Sequence, residues 1–151
     1  MTEEERQQLL LVDLCSRLPY GVKYRRDSWN FEWDQEISVV EVLEDIDKEG
    51  YINHTKVYKV SDIEPYLRPM SSMTEKELDK LRNYTGLLYD NLDLASFQNG
   101  SYKCLDFYLS EIPADVVIKV FDWLHMHHFD YRGLISMGLA LVAPKDMYNN
   151  K

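Results

Sequence analysis

Three of the four histidines in this chain fall within four positions, in the string Leu124-His125-Met126-His127-His128-Phe129-Asp130-Tyr131-Arg132-Gly133. Imidazole is both a zinc ligand and a proton carrier near neutral pH, so this string concentrates more potential chemistry than any other. On a helix His125 and His128 share a face, while His127 points away from them. With Asp130 just past the helix, or His54 from the first half of the chain, they could hold zinc and leave an open position that activates water for hydrolysis. The string lacks the His-Glu-x-x-His arrangement and so imports no known mechanism. The competing reading packs His128 into the apolar stripe of Val117, Phe121 and Leu124. It leaves His125 and His127 near the helix end, where protonated imidazoles interact favourably with the dipole. The competing reading is the better supported, because a first shell requires three or four convergent ligands and the spacing implies only two.

Trp29, Phe31 and Trp33 alternate with polar residues beside Arg25 and Arg26, a composition typical of binding hot spots. A sheet must bury one face, so core packing of these aromatics is the first expectation. If exposed, they suit a protein or peptide partner, because Asp27, Glu32, Asp34 and Glu36 repel a phosphate backbone. Nucleophilic catalysis finds no support. Ser71-Ser72 lacks a strand-turn-helix elbow, and Cys15 and Cys104 form no C-x-x-C pair and read as reduced, buried thiols. No glycine-rich phosphate loop is present.

Those residues must be positioned by a chain of 151 residues and 17.9 kDa, the usual size of one domain, and a single domain over 1–151 is expected. The formal charge of −9 and pI near 4.9 argue against nucleic acid and anionic membrane surfaces as partners. The acidic start is unlike a signal peptide, and no apolar run approaches the ~18 residues of a membrane span. A cytoplasmic protein is expected. No cofactor is expected, zinc being the single candidate.

The patterning predicts an α+β fold. Thr2 and Glu5 form a capping box that opens a helix running to about Arg17, with Leu10, Leu11, Leu14 and Leu18 as its apolar stripe, and Pro19-Tyr20-Gly21 ends it. Residues 21–60 read as a four-stranded antiparallel meander, curled into a small-barrel-like sheet. Its strands are centred on Val22–Tyr24, Trp29–Trp33, Ile37–Ile46 and Tyr51–Val60, with a turn at Asp47–Gly50. Pro65 and Pro69 imply a short helical turn and a stiff connector. A mainly helical part over 74–138 then packs on the meander. A second capping box, Thr74 with Glu77, starts a helix over Glu75–Tyr84, and Pro113 opens another that reaches about His128. Residues 83–100 fit neither period, Tyr102–Leu109 reads as a strand, Tyr131–Met137 as a short helix capped by Asp130, and Leu139–Ala143 as a short strand.

Three strings, Asp13-Leu14-Cys15-Ser16-Arg17-Leu18-Pro19-Tyr20-Gly21-Val22, Tyr66-Leu67-Arg68-Pro69-Met70-Ser71-Ser72-Met73-Thr74 and His127-His128-Phe129-Asp130-Tyr131-Arg132-Gly133-Leu134-Ile135, resemble a family of short hypothetical proteins from anaerobic gut bacteria and their prophages or other mobile elements. The resemblance touches the beginning, middle and end of the chain. It implies an intracellular accessory protein and carries no assigned reaction and no catalytic residue. Two functional expectations follow. One is a non-catalytic interaction module that uses Arg25, Arg26, Trp29, Phe31 and Trp33 to bind an unknown protein partner, or a second copy of itself as a homodimer. The other is a metal-binding protein or metal-dependent hydrolase built on His125, His128 and Asp130. A third, an acidic decoy that mimics DNA, has only the net charge behind it, since the carboxylates are spread as on any solvated surface.

Overall fold

The computed structural model describes residues 1–86, 94–98 and 114–148. Helix α1 spans Glu3–Arg17 and begins as expected: the Thr2 hydroxyl accepts from the Glu5 N–H, and the Glu5 carboxylate accepts from the Thr2 N–H. Its buried positions are Leu10, Asp13, Leu14 and Arg17, the i, i+3, i+4, i+7 set of one helical stripe. Two of the four are charged, which the apolar pattern alone misses. Cys15 lies on the opposite face and is exposed, correcting the expectation of a buried thiol. Cys104 lies outside the described residues.

Strands β1 (Lys23–Asn30) and β2 (Gln35–Val42) form one long hairpin with eight paired positions. The two short strands expected at 22–24 and 29–33 are therefore one strand and its turn. β1 also pairs antiparallel with β3 (Ile63–Leu67), but only at Tyr24, Arg25 and Arg26. The short strand β4 (Leu141–Val142) then pairs parallel with β3. The sheet order is β2-β1-β3-β4, a mixed, curled sheet rather than a purely antiparallel meander. From Asp27 onward, among the described residues, β1 pairs with β2 alone, so the distal half of the hairpin extends past the sheet as a two-stranded ribbon.

The expected strand over 51–60 is replaced by a folded loop held by isolated bridges, Ile46 with Ile52 and Tyr51 with Lys59. Asn53, His54 and Lys56 all have positive φ, a conformation incompatible with a ladder. Asn53 substitutes for the missing ladder: its amide oxygen accepts from the N–H groups of Glu44 and Asp45, and its amide nitrogen donates to the Val42 carbonyl and the Tyr24 hydroxyl.

Helix α2 (Glu75–Thr85) has the Thr74–Glu77 capping box and ends at Gly86 in the left-handed conformation. A short helix α3 covers Leu94–Gln98, and α4 covers Ala114–Met126. The strand expected at Tyr102–Leu109 lies outside the described residues. Residues 131–138 form successive turns rather than a short helix. Among the described residues the interior has two apolar clusters. Leu10 and Leu14 of α1 cluster with Val22 and with Tyr24, Ile63 and Leu67 of the sheet, while Leu78 and Leu81 of α2 cluster with Val120, Trp123 and Leu124 of α4 together with Phe129. Each fully buried leucine contributes roughly 1.5–3 kcal/mol.

Candidate functional site

The histidine string spans the end of α4, and the geometry there is that of a Schellman cap. His128 is in the left-handed region at φ 62°, its N–H donates to the His125 carbonyl at 3.1 Å, and the Phe129 N–H donates to the Leu124 carbonyl at 3.0 Å. A histidine occupies the position where glycine is usual, so its ring must repay the conformational cost through packing. It stacks on Tyr148 with ring centroids 3.7 Å apart and 21° between planes, buried, with Nδ1 lacking any hydrogen-bond partner. Burial first, and then the positive charge of Arg17, push its pKa down to about 3.

His125 is buried too, with Nε2 2.7 Å from the Tyr131 hydroxyl, and burial followed by the Arg17 charge lowers it to about 4. Burial likewise raises the Tyr131 phenol. A neutral histidine against a neutral phenol is not poised for proton transfer near pH 7. Asp130 is occupied as a cap: one carboxylate oxygen accepts from the Leu134 N–H at 2.8 Å and the other from the Ile135 N–H at 2.9 Å. The proposed ligand set of His125, His128 and Asp130 is therefore not assembled. Each side chain is committed to a different neighbour, and among the described residues no three His, Cys, Asp or Glu groups converge as a metal requires. His54 sits exposed in the 43–60 loop beside Asp45.

What the string does join is α1. Arg17 donates from Nε and Nη2 to the two carboxylate oxygens of Asp13, at 2.8 and 3.1 Å, and also from Nη2 to the Phe129 carbonyl at 2.7 Å. Arg132 reaches the same Asp13 at 3.1 Å. Asp13 and Arg17 are completely buried. Asp13, Arg17 and Arg132 thus lock two of the strings quoted above to each other. The available signal was an Asp-x-x-x-Arg pair lying on the same helical stripe as Leu10 and Leu14.

The hairpin tip corrects the core expectation for the aromatics. Trp29 is 47% exposed, Phe31 88% and Trp33 66%. Phe31–Asp34 is a turn, not a strand: the Asn30 side-chain oxygen accepts from the Trp33 N–H at 3.0 Å, and Asp34 has φ 52°. Among the described residues no second layer covers the ribbon here, and Trp29 faces solvent. Residues 27–36 carry four carboxylates and no lysine or arginine. Arg25 and Arg26 do not accompany the aromatics. Arg25 pairs with Glu64 on β3, and Arg26 pairs with Glu41 at 2.8 Å and lies over the Tyr58 ring. That contact, with the Tyr24 hydroxyl, holds the Glu41 carboxyl below its usual range.

A cleft of about 540 Å³ lies between α2, the end of α4 and the C-terminal segment, lined by Arg68, Lys76, Lys80, His127, Lys145 and Tyr148 among others. Arg68 makes a bidentate pair with Glu77 at 2.6 and 2.8 Å and lies 4.2 Å from the Phe129 ring centre. Burial raises the Glu77 carboxyl, but the Arg68 pairing outweighs it and leaves the group lowered. Tyr148 closes the floor. Its hydroxyl donates to the Tyr66 carbonyl at 2.7 Å and accepts from the Lys23 N–H at 2.8 Å, and burial pushes its pKa up to about 12.

No protein-family model, no curated protein and no solved structure matches this chain. No described helix is long and apolar enough to cross a membrane.

Proposed function

We propose that the protein is a non-catalytic interaction module that engages a protein partner through the tip of the β1–β2 hairpin. One observation carries this reading: three large aromatics, Trp29, Phe31 and Trp33, stand exposed on a ribbon that has left its own sheet. An isolated two-stranded ribbon is marginally stable in water, and clustered aromatics on it expose apolar surface that a partner would desolvate. The carboxylates of Asp27, Glu32, Asp34 and Glu36 give the partner its chemistry: an apolar pocket bordered by lysine or arginine. A second copy of this chain presents the same carboxylates, so like-charge repulsion disfavours tip-to-tip homodimers. An intracellular accessory role of phage or mobile-element type belongs to the proposal through the resemblance alone.

The test is recovery of the complex from the cell of origin with the native chain and with a triple variant, Trp29→Ser, Phe31→Ser and Trp33→Ser. The expected result is a partner carrying a basic, apolar-centred surface that the native chain recovers and the triple variant loses, with identical circular dichroism for both chains. Equal recovery by both would remove the hairpin tip from the interface.

A further inference from the structure

We infer that the cleft between α2, the end of α4 and the C-terminal segment is a binding site for a small organic anion that carries two or more negative charges on a planar or apolar body. The chain holds 26 acidic residues against 17 lysines and arginines, so a cationic cleft runs against its average field. Arg68 and Glu77 neutralise each other in their bidentate pair. Lys76, Lys80 and Lys145 remain, none of them in an ion pair among the described residues, against one further lining carboxylate, Asp146. Lys76 and Lys80 are one helical turn apart on α2 and project from the same face. Lys145 comes from a different part of the chain, so the fold and not local sequence brings the three lysines to one cleft.

Ammonium groups on flexible stems, each with three donors, suit phosphate or carboxylate groups. The rest of the lining is of another kind. The His127 ring lies against that of Trp123, tilted by 35° with ring centroids 4.2 Å apart, and both residues, with Tyr148, Val142 and Pro144, line the same space. A wall of rings and apolar carbons beside a cluster of cations matches an amphipathic anion better than a bare inorganic ion. The volume falls in the range of about 300–1,000 Å³ typical of small-molecule sites and is too small for a folded partner. This site shares no residue with the hairpin tip, so it stands or falls independently of the interaction proposed above.

The test is a titration of the full-length, 15N-labelled chain with 1-naphthyl phosphate, a dianion on a planar apolar body, at low ionic strength. Saturable amide shifts are expected at positions 76, 80, 127 and 145, with the dissociation constant raised about tenfold or more in a Lys76→Gln and Lys80→Gln double variant. A double variant at two other exposed lysines, Lys48→Gln and Lys59→Gln, removes the same formal charge and should leave the constant unchanged. The neutral parent 1-naphthol should bind far more weakly at the same residues. Three results would overturn the inference: no saturable shift up to the solubility limit of the probe, shifts confined to residues 27–36, or equal weakening by both double variants, which would indicate diffuse charge attraction.

Discussion

The ring of His128 lies 3.7 Å from that of Tyr148, with 21° between the planes, and this contact fastens the C-terminal segment to the end of α4. His128 is also the left-handed residue of the helix cap, and its carbonyl accepts from the Arg68 N–H at 2.7 Å. One residue thus terminates a helix, extends the pairing of β3 and anchors the tyrosine that reaches the carbonyl of Tyr66 and the N–H of Lys23. Its apparent chemistry is structural.

A pH dependence follows. His128 and His125 are held near 3 and 4 in the folded chain against 6.5 for a free histidine, so both fold neutral. Below pH 6.5 the unfolded chain binds more protons than the folded one, and stability therefore falls as pH falls from 6.5 towards 4. Their contribution is fully present above that window. The slope reaches roughly 1.4 kcal/mol per pH unit for each histidine. Urea unfolding from about pH 7.5 to about pH 4.5 should show the falling midpoint, and His128→Asn, which tolerates the left-handed conformation, should remove about half of the slope. A midpoint independent of pH across this range would contradict the assignment.

Replacing the exposed aromatics should leave the fold intact. Phe31→Ser and Trp33→Ser should each change the unfolding free energy by about 0.5 kcal/mol or less, as is usual for exposed side chains, whereas core aromatics cost about 3–5 kcal/mol on truncation. Denaturant melts of the single variants distinguish the two cases.

The buried network should behave in the opposite way. Arg17→Met leaves Asp13 in a dry site with Arg132 as its remaining cationic partner among the described residues and deprives the Phe129 carbonyl of the Arg17 donor. A loss of about 3–5 kcal/mol is expected, as for other broken buried pairs. A loss below about 1 kcal/mol would show that the pair contributes little and that Asp13 finds solvent.

Zinc should be indifferent to the histidine string. Because His125, His128 and Asp130 are engaged with Tyr131, Tyr148 and the amides of 134–135, His125→Ala should leave zinc affinity unchanged in calorimetric titration. A steep loss of affinity with the fold retained would restore the metal reading.

The elements legible in the sequence are those fixed by local chemistry. Thr2 with Glu5 and Thr74 with Glu77 mark the starts of α1 and α2 because a capping box is complete within four residues. The parallel pairing of β4 with β3 is not legible, since it joins Leu141 to Tyr66 across about half of the chain. Alternation at Trp29, Phe31 and Trp33 reports a period but not whether a second layer lies above it, and among the described residues none does. In the 43–60 loop, Tyr51–Val60 has strand-forming composition, but Asn53 offers the backbone a set of hydrogen bonds that competes with a ladder. At the candidate site the histidines are legible and their surroundings are not: Tyr131 lies six residues from His125, but Tyr148, which stacks on His128, comes from the C-terminal segment, and Arg17, whose charge lowers both histidines, comes from α1.

The claim that the hairpin tip exists for a partner is tested most directly by photo-crosslinking in the cell of origin, with benzoylphenylalanine replacing Phe31 and, as a matched exposed control, Val57. The account predicts one dominant crosslinked protein from position 31, joined through a peptide rich in lysine or arginine, and none from position 57. Equal and diffuse crosslinking from both positions would contradict it.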